Sequence, residues 1–220
     1  FSIWLVATAI LVSFYLFVFG KLLKVKSIGK NVTQAPVSVV VCSKNNYNGL
    51  QKILPLLLNQ KYKEFEIVIV NDHSTDETEN FLNQIQSPKL RVIHFTNDKK
   101  FEGKKEALSL GIEKAKYDWV LMMDCDTFPK DKNFISNYIK SIKNREEKVI
   151  FGGIIYYNEK PKEDEMLRWI FGKSREDIPL SKRLANPFHY TLISNILVKK
   201  NILLKHPFDS EIYNYGYEDI

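Results

Sequence analysis

Two aspartates separated by one residue are the groups in this chain best suited to chemistry. Asp124 and Asp126 directly follow the apolar stretch Trp119–Met123, and a charge at the end of such a stretch is costly unless it has a partner. Two carboxylates at this spacing can share one divalent cation, or divide between a cation and a sugar hydroxyl, because Mg²⁺ and Mn²⁺ favour carboxylate and phosphate oxygens. A solvated turn after a strand is the alternative, and the pair alone does not decide between them.

Polar residues also follow two other apolar stretches. Val37–Cys42 and Phe65–Val70 are β-branched runs of strand length. The polar residues that follow them are Ser43, Lys44, Asn45, Asn71 and Asp72. Ligands of parallel α/β sheets bind beyond the carboxyl ends of the strands. These three strand ends are therefore the predicted ligand site.

The stretches that would position these groups alternate between strand and helix patterns. The apolar runs predict four strands, Val37–Cys42, Phe65–Val70, Leu90–Phe95 and Trp119–Met123. Helical spacing of apolar residues lies between them, and short connections join the elements. This alternation predicts a parallel α/β sheet in the first half of the chain.

Three local features of the chain give further predictions about its elements. Ser74 and Glu77 form a capping box that predicts a helix running to about Gln86. Val149–Tyr157 is predicted to be rich in β-structure, and the charged region Lys160–Arg183 to be loop-like.

Composition and charge exclude several classes of protein. Of the 220 residues, 45% are hydrophobic and 26% are charged, which is ordinary for a globular protein. The net charge is +6, but it falls to +2 without the four lysines at positions 21, 24, 26 and 30. The body of the chain therefore lacks the basic footprint of a nucleic-acid-binding protein.

Common signatures of other enzymes and metal proteins are absent from the sequence. Neither the dinucleotide motif G-x-G-x-x-G nor the P-loop motif G-x-x-x-x-G-K-[ST] occurs. The four histidines are scattered, and no Cys/His spacing indicates a zinc site. Cys42 and Cys125, at two predicted strand ends, are expected to be neighbouring reduced thiols.

Five segments resemble motifs of family 2 glycosyltransferases in the order in which that family has them. The segments are VSVVVCSKNN, EIVIVNDHSTDET, FEGKKEALSLGIEKAKYDWVLMMDCD, SNILVKK and NYGYED. The resemblance implies the GT-A fold, a Rossmann-like and mostly parallel α/β sheet with flanking helices. It also implies an inverting enzyme that moves a sugar from a nucleotide diphosphate to a hydroxyl group.

The resemblance assigns the donor site to residues of the first two strand ends and the following helix. Ser43, Asn45 and Asp72 would hold the nucleoside, which by family frequency would be uridine. Lys104 or Lys105 would contact the diphosphate as a point charge. A solvated start of a helix is the alternative for these two lysines.

The resemblance also assigns a metal ligand and an acceptor side. Asp126 would hold Mn²⁺ or Mg²⁺, while Asp124 would assist it or bind the ribose. Asn195 would lie on the acceptor side. Asp219 would be the general base, with Glu218 as its neighbour or rival. An ordinary acidic turn is the alternative for this last pair.

Several aromatic residues near these segments are candidates for contact with a sugar. Trp169 and Phe171 either stack on an acceptor or pack onto the core. Tyr213, Tyr215 and Tyr217 alternate beside the acidic pair, so they could share one face of an extended segment.

The predicted protein is a membrane enzyme that acts on a nucleotide-sugar and a glycan or lipid-linked acceptor. Two alternatives are an inactive module that binds nucleotide-sugar and a nucleotidyltransferase. The latter usually has a glycine-rich, basic loop after the first strand, where this chain has SKNN.

The N-terminal segment is predicted to anchor the chain in a membrane. Phe1–Phe19 has no charged residue, and as a helix it would be about 28 Å long, close to the thickness of the hydrocarbon core. The predicted organisation is a transmembrane helix at 1–24, a basic linker at 25–35 and a GT-A domain at 36–220, truncated at its C-terminus. The lysines after the apolar run favour a single-pass anchor with the catalytic domain in the cytoplasm, and a cleaved signal peptide is the alternative.

Overall fold

A computed structural model describes residues 4, 6, 8, 10–16, 35–95, 104–142 and 148–209. The chain divides into two units, Phe1–Thr33 and Gln34–Ile220. In the first unit the described residues are helical. A search of the described residues finds no helix with both the length and the apolar character needed to cross a bilayer. Most of the predicted anchor at 1–24 and nearly all of the linker at 25–35 lie outside the described residues, so both stay predictions.

The second unit is built on a mixed sheet of six strands in its described part. The strands are β1 (Val37–Ser43), β2 (Phe65–Asp72), β3 (Leu90–Phe95), β4 (Trp119–Asp124), β5 (Val149–Phe151) and β6 (Asn195–Lys199). Their order across the sheet is β3-β2-β1-β4-β6-β5. The four strands predicted from apolar runs are confirmed and are mutually parallel, whereas β6 pairs antiparallel with both β4 and β5.

Helices flank this sheet. They are α1 (Tyr47–Leu58), α2 (Thr78–Gln84), α3 (Lys104–Lys114), α4 (Phe134–Ser141), α5 (Glu163–Arg175), α6 (Leu180–Ala185) and α7 (Lys200–Lys205), with a 3₁₀ turn at Pro187–Tyr190. The predicted α/β fold with a mostly parallel sheet and flanking helices is thus confirmed for the described residues.

Three local predictions are wrong. The region Lys160–Arg183 contains α5 and most of α6 rather than loop. Ser74 does not cap a helix, because its hydroxyl accepts a hydrogen bond from the backbone N–H of Asn45 and α2 begins only at Thr78. The β-structure predicted for Val149–Tyr157 is limited to its first three residues.

The two faces of the sheet bury separate apolar cores, which fixes the strand ends in space. Alternate residues of β1 point to opposite faces, so Val39 and Val41 pack with α1 and α4 while Val40 packs with α3. A Cβ on Gly111 of α3 would lie 2.5 Å from the Val40 Cγ1 atom. Glycine therefore allows α3 to lie close against the sheet, and α3 carries Lys104 at its start.

Candidate active site

The strand register brings the predicted site residues to one edge of the sheet. Cys42 of β1 lies beside Asp124 of β4, and Ser43 of β1 lies beside Asn71 of β2. The carboxyl ends of β1, β2 and β4 therefore meet, as parallel strands require.

Asp72 occupies a buried and basic environment at the end of β2. The residue is only 3% exposed, and its Oδ2 atom lies 3.8 Å from the Lys44 Nζ atom. Its Oδ1 atom lies 2.9 Å from His73 Nδ1. The His73 ring also meets Phe95 edge to face, with 5.3 Å between the ring centroids. Asp72 is thus held in one orientation at the edge where the resemblance places a nucleoside. No sequence pattern indicated that His73 would contact it.

Asn45 ties two loops of the site together. It adopts a left-handed backbone conformation with φ of 50°, which asparagine tolerates better than most residues. Its side-chain oxygen accepts a hydrogen bond from the Thr75 N–H at 2.7 Å, and its own N–H donates to Ser74 Oγ at 2.9 Å. The predicted nucleoside contact is therefore also a brace between the turn after β1 and the loop after β2.

Two polar atoms at the same edge lack a protein partner within the described part of the chain. They are Ser43 Oγ and Asn71 Oδ1, and both are buried. Buried polar groups normally form hydrogen bonds, and the two residues are cross-strand neighbours. A bound nucleoside could supply the missing partners.

The aspartate pair at the end of β4 lies in a cleft and is partly neutralised by lysine. Lys104 Nζ is 2.7 Å from Asp124 Oδ1. Asp126 is exposed to the cleft, but desolvation by the surrounding protein, and then the charge of Asp124, raise its pKa above the ordinary aspartate value. The charges of Lys104 and Arg168 oppose this rise only in part.

This electrostatic environment fits a divalent cation at Asp126. A carboxylate with a raised pKa is one whose negative charge is incompletely compensated, and a cation would compensate it. Within the described ranges, no group of three or more His, Cys, Asp or Glu side chains could hold a metal ion. If an ion binds here, oxygens of the diphosphate would complete its coordination beside the two aspartates, as is common for Mg²⁺.

The two lysines predicted for the diphosphate have different surroundings. Lys104 lines the cleft beside Asp124. Lys105 Nζ instead lies 3.4 Å from the backbone oxygen of Asp209 and does not line the cleft. Lys104 is therefore the better placed of the two for a diphosphate held at the aspartate pair.

The cleft has a volume of about 1110 Å³, which exceeds the usual size of a small-molecule pocket. Its lining includes Asp124, Asp126 and Lys104, and also Arg168 and Trp169 of α5. It can accommodate an extended nucleotide-sugar with space for part of an acceptor.

The α5 side of the cleft is organised by an ion pair that the sequence did not indicate. Arg168 contacts both carboxylate oxygens of Glu176, at 3.0 and 3.1 Å. The hydroxyl of Tyr156 donates to the same carboxylate at 2.6 Å, and the Arg168 guanidinium lies 5.6 Å from the centre of the Tyr156 ring. The sequence analysis predicts a loop-like region here, so of the α5 residues that line the cleft it names only Trp169.

The two aromatic residues proposed for sugar stacking are separated by the helix geometry. Trp169 lines the cleft, and its indole N–H donates to the backbone oxygen of Tyr157 at 2.9 Å. Phe171 is 55% exposed and does not line the cleft. Of these two residues, only Trp169 is therefore placed to contact a ligand in the cleft.

Asn195 lines the cleft, and both polar atoms of its side chain are hydrogen-bonded within the protein. Its Nδ2 atom donates to the Gly153 oxygen at 2.7 Å, and its Oδ1 atom accepts from the Tyr138 hydroxyl at 2.6 Å. Gly153 has φ of 83°, a conformation that favours glycine. Asn195 thus holds the turn after β5 against β6, and its predicted contact with an acceptor stays a prediction.

Replacing Asn195 with Ala is expected to destabilise the fold by about 1 to 3 kcal/mol, because the Gly153 oxygen loses its partner and the buried Tyr138 hydroxyl loses one of two acceptors. Urea denaturation measures this change. Asn158→Ala is the matched control: its side chain is exposed and bonds to Lys173, so the expected change is within about 0.5 kcal/mol. Wild-type stability of Asn195→Ala would contradict the bracing role.

The remaining predicted residues fall into two groups. Glu218 and Asp219 lie outside the described residues, as do the three tyrosines at 213, 215 and 217. Cys42 and Cys125 are both free thiols, and burial raises the pKa of each above its ordinary value. A raised pKa keeps a thiol protonated and makes it a poor nucleophile. That the two cysteines are reduced stays a prediction.

The fold and this edge define an α/β protein with a ligand cleft at the carboxyl ends of parallel strands and an acidic pair in the lining of that cleft. Residues 38–206 match the family model described as glycosyl transferase family 2. Because the match covers most of the chain, the chain belongs to that family.

Known proteins similar to this chain have related activities and folds. A GalNAc(5)-diNAcBac-PP-undecaprenol beta-1,3-glucosyltransferase from Campylobacter jejuni is 25% identical over 183 residues, which cover 80% of this chain and 56% of that protein. S. aureus TarS 1-349 in complex with UDP-GlcNAc has a TM-score of 0.61 at 21% identity, covering 84% of this chain and 51% of that one. Mannosyltransferase PcManGT from Pyrobaculum calidifontis, in complex with GDP-Man and Mn²⁺, has a TM-score of 0.60 at 17% identity. The match covers 94% of this chain and 56% of that one.

These likenesses bear on the fold and the family. The chain spans between 26% and 56% of the length of the first curated relatives that it matches. Since the two solved structures are less than 25% identical, they support the predicted glycosyltransferase fold rather than a particular substrate.

Proposed function

We propose that this chain carries the donor site of a glycosyltransferase, which moves a sugar from a nucleotide diphosphate to a hydroxyl of a glycan or lipid-linked acceptor. The observation that carries the proposal is the cleft in which Asp124 and Asp126 follow β4 beside Lys104, in a chain of glycosyl transferase family 2. The Campylobacter relative, named for a lipid-linked acceptor, supports the acceptor class.

The donor would lie across the ends of the parallel strands. Asp72, held by Lys44 and His73, would accept a hydrogen bond from the base, and Ser43 and Asn71 would gain the partners that they lack within the described residues. Uridine is the proposed base, supported by the UDP-GlcNAc bound to TarS.

Asp126 and Asp124 are the proposed ligands of Mn²⁺ or Mg²⁺, supported by the raised pKa of Asp126 and by the Mn²⁺ in the mannosyltransferase complex. Such an ion, when bound, would stabilise the negative charge that develops on the departing diphosphate. Lys104 would add a second positive charge at the same place.

Transfer also requires a base that removes the proton from the acceptor hydroxyl as that oxygen attacks the anomeric carbon. Asp219, with Glu218 beside it, remains the proposed base by resemblance. A single displacement of this kind inverts the anomeric centre. The proposed membrane anchor and cytoplasmic orientation rest on the N-terminal sequence alone.

The proposal predicts metal-dependent selection of one nucleotide. The chain would be titrated with UDP, GDP and dTDP, each with and without Mn²⁺. One nucleotide should bind best, and its affinity should be about tenfold or more higher in the presence of the ion. The reason is that a charge-assisted contact to the diphosphate is worth roughly 1.5 to 3 kcal/mol. Calorimetry measures both effects, with UMP as the control that lacks the diphosphate.

Other outcomes would favour the alternatives. Binding that is equal with and without Mn²⁺ would remove the aspartate pair from the diphosphate site. Selective binding without sugar transfer or donor hydrolysis would favour an inactive binding module, and release of pyrophosphate from a nucleoside triphosphate would favour a nucleotidyltransferase.

A further inference from the structure

Exposed apolar side chains of the second unit are concentrated in one part of its described residues. Eight of the eleven large hydrophobic residues that are exposed after position 34 lie between β5 and β6. They are Ile155, Tyr157, Leu167, Ile170, Phe171, Leu180, Leu184 and Phe188. Single exposed apolar residues are common on protein surfaces, but a concentration of them marks an interaction surface.

The strongest concentration is in α6 and the 3₁₀ turn after it. Neither element contains a buried residue. Leu180 and Leu184 are one helical turn apart and are 59% and 71% exposed, and Phe188 follows with 95% exposure. We call residues 180–190 the α6 segment. Its apolar side chains contribute nothing to the core of the described unit.

The α6 segment itself carries only positive charge. It contains no Asp or Glu but contains Lys182 and Arg183, and the acids that precede it, Glu176 and Asp177, are paired with Arg168 and Lys173. Lys182 lies between the two exposed leucines and is itself exposed. A surface that combines exposed leucine and phenylalanine with lysine and lacks acids is complementary to anionic lipid.

We propose that the α6 segment docks on an anionic lipid bilayer. Leu180, Leu184 and Phe188 would enter the boundary between headgroups and acyl chains, and Lys182 would lie among the headgroup phosphates. An apolar protein partner could accept the same three side chains, but the absence of acids from the α6 segment, together with its two basic residues, favours the anionic surface. This inference depends neither on the proposed transfer reaction nor on the predicted N-terminal anchor.

A fluorescent probe at position 188 tests the proposal in the full chain. Phe188→Cys, in a background with Cys42→Ala and Cys125→Ser, would be labelled with an environment-sensitive dye and checked for native circular dichroism. The control carries the dye at position 56, because Leu56 of α1 is also exposed, at 43%. Vesicles of phosphatidylcholine, with or without phosphatidylglycerol, would then be added.

We expect the dye at position 188 to show a blue shift and a severalfold gain in intensity with the anionic vesicles, and quenching by spin-labelled lipid. The dye at position 56 should change little, and Lys182→Glu should remove the preference for phosphatidylglycerol. A dye at position 188 that stays in water with both vesicles would overturn the proposal. So would a shift without lipid: dependence on protein concentration would indicate a second copy of the chain as the partner, and independence of it would indicate a segment of the same chain.

Discussion

Replacing Asp126 with Asn is expected to lower kcat/KM for sugar transfer by about a hundredfold or more, because the cation proposed at the diphosphate loses its carboxylate ligand. Binding of the preferred nucleotide should also lose its dependence on Mn²⁺. The change keeps the size of the side chain and removes only its charge. Single-turnover transfer and calorimetry with and without Mn²⁺ measure the two effects.

The pKa of Asp126 adds a dependence on pH. Its pKa is raised, so the carboxyl is protonated up to a higher pH than an ordinary aspartate, and a protonated carboxyl does not bind the cation. Metal-dependent affinity should therefore fall as the pH is lowered through this raised pKa. In Asp126→Asn, this component of the pH dependence should be absent.

The raised pKa of Asp126 also makes the stability of the fold depend on pH, in the direction opposite to that of metal binding. A carboxyl whose pKa is higher in the folded than in the unfolded state stabilises the fold when protonated, and this contribution is lost as the pH rises through the folded pKa. At neutral pH the ionised Asp126 therefore opposes folding, and Asp126→Asn should unfold at the same temperature as the wild type or slightly higher. Loss of transfer together with clear destabilisation would contradict a purely electrostatic role. Asp164→Asn, on the exposed first turn of α5, is the control for charge alone.

The strands that carry the site could be predicted because their apolar runs have strand length and are rich in β-branched residues. Val37–Ser43 and Phe65–Asp72 are mostly buried, so most residues before the polar end are apolar, and most of these are Val or Ile. The place where the apolar run stops is also the place where the ligand edge begins. In the same way, the end of the apolar run in β4 predicted the position of the aspartate pair.

The α5 side of the cleft could not be predicted for the opposite reason. Only Gly172 of α5 is buried, so the helix lacks the apolar stripe by which a helix is recognised in a sequence. Arg168, Trp169 and Lys173 of α5 line the cleft, and that they line the same cleft is apparent only from the structure. The ion pair between Arg168 and Glu176 connects residues eight positions apart, which the sequence pattern did not suggest.

Asn45 and Asn195 show a second limit of sequence interpretation. Family resemblance gives a residue a role toward the ligand but cannot show what else its side chain holds. Asn45 braces the loop at Thr75, and Asn195 braces Gly153 and Tyr138. These are contacts between residues distant in sequence, so they depend on the packed sheet. A substitution at either position therefore tests the proposed binding role and the bracing role together.

Lys104→Met is expected to change the affinities for metal and for nucleotide in opposite directions. The Lys104 ammonium lies 2.7 Å from Asp124 Oδ1. It therefore competes with a divalent cation for the negative charge of this carboxylate. Removing it should raise the affinity for Mn²⁺ alone by about two- to fivefold, as expected for loss of a competing, partly exposed ion pair. It should lower the affinity for the preferred nucleoside diphosphate about tenfold, because a charged contact to the diphosphate is lost.

Lys105→Met is the control for Lys104→Met, since the neighbouring lysine contacts a backbone oxygen of Asp209 and lies outside the cleft lining. Paramagnetic resonance of free Mn²⁺ gives the metal affinity without nucleotide, and calorimetry gives the nucleotide affinity. A fall in both affinities with Lys104→Met would mean that the lysine orients Asp124 for the cation instead of competing with it. No change in either affinity would mean that the ion pair between Lys104 and Asp124 contributes to the structure but not to ligand binding. Opposite changes, absent from Lys105→Met, would mean that Lys104 holds Asp124 until the nucleotide and the ion arrive and then pairs with the diphosphate.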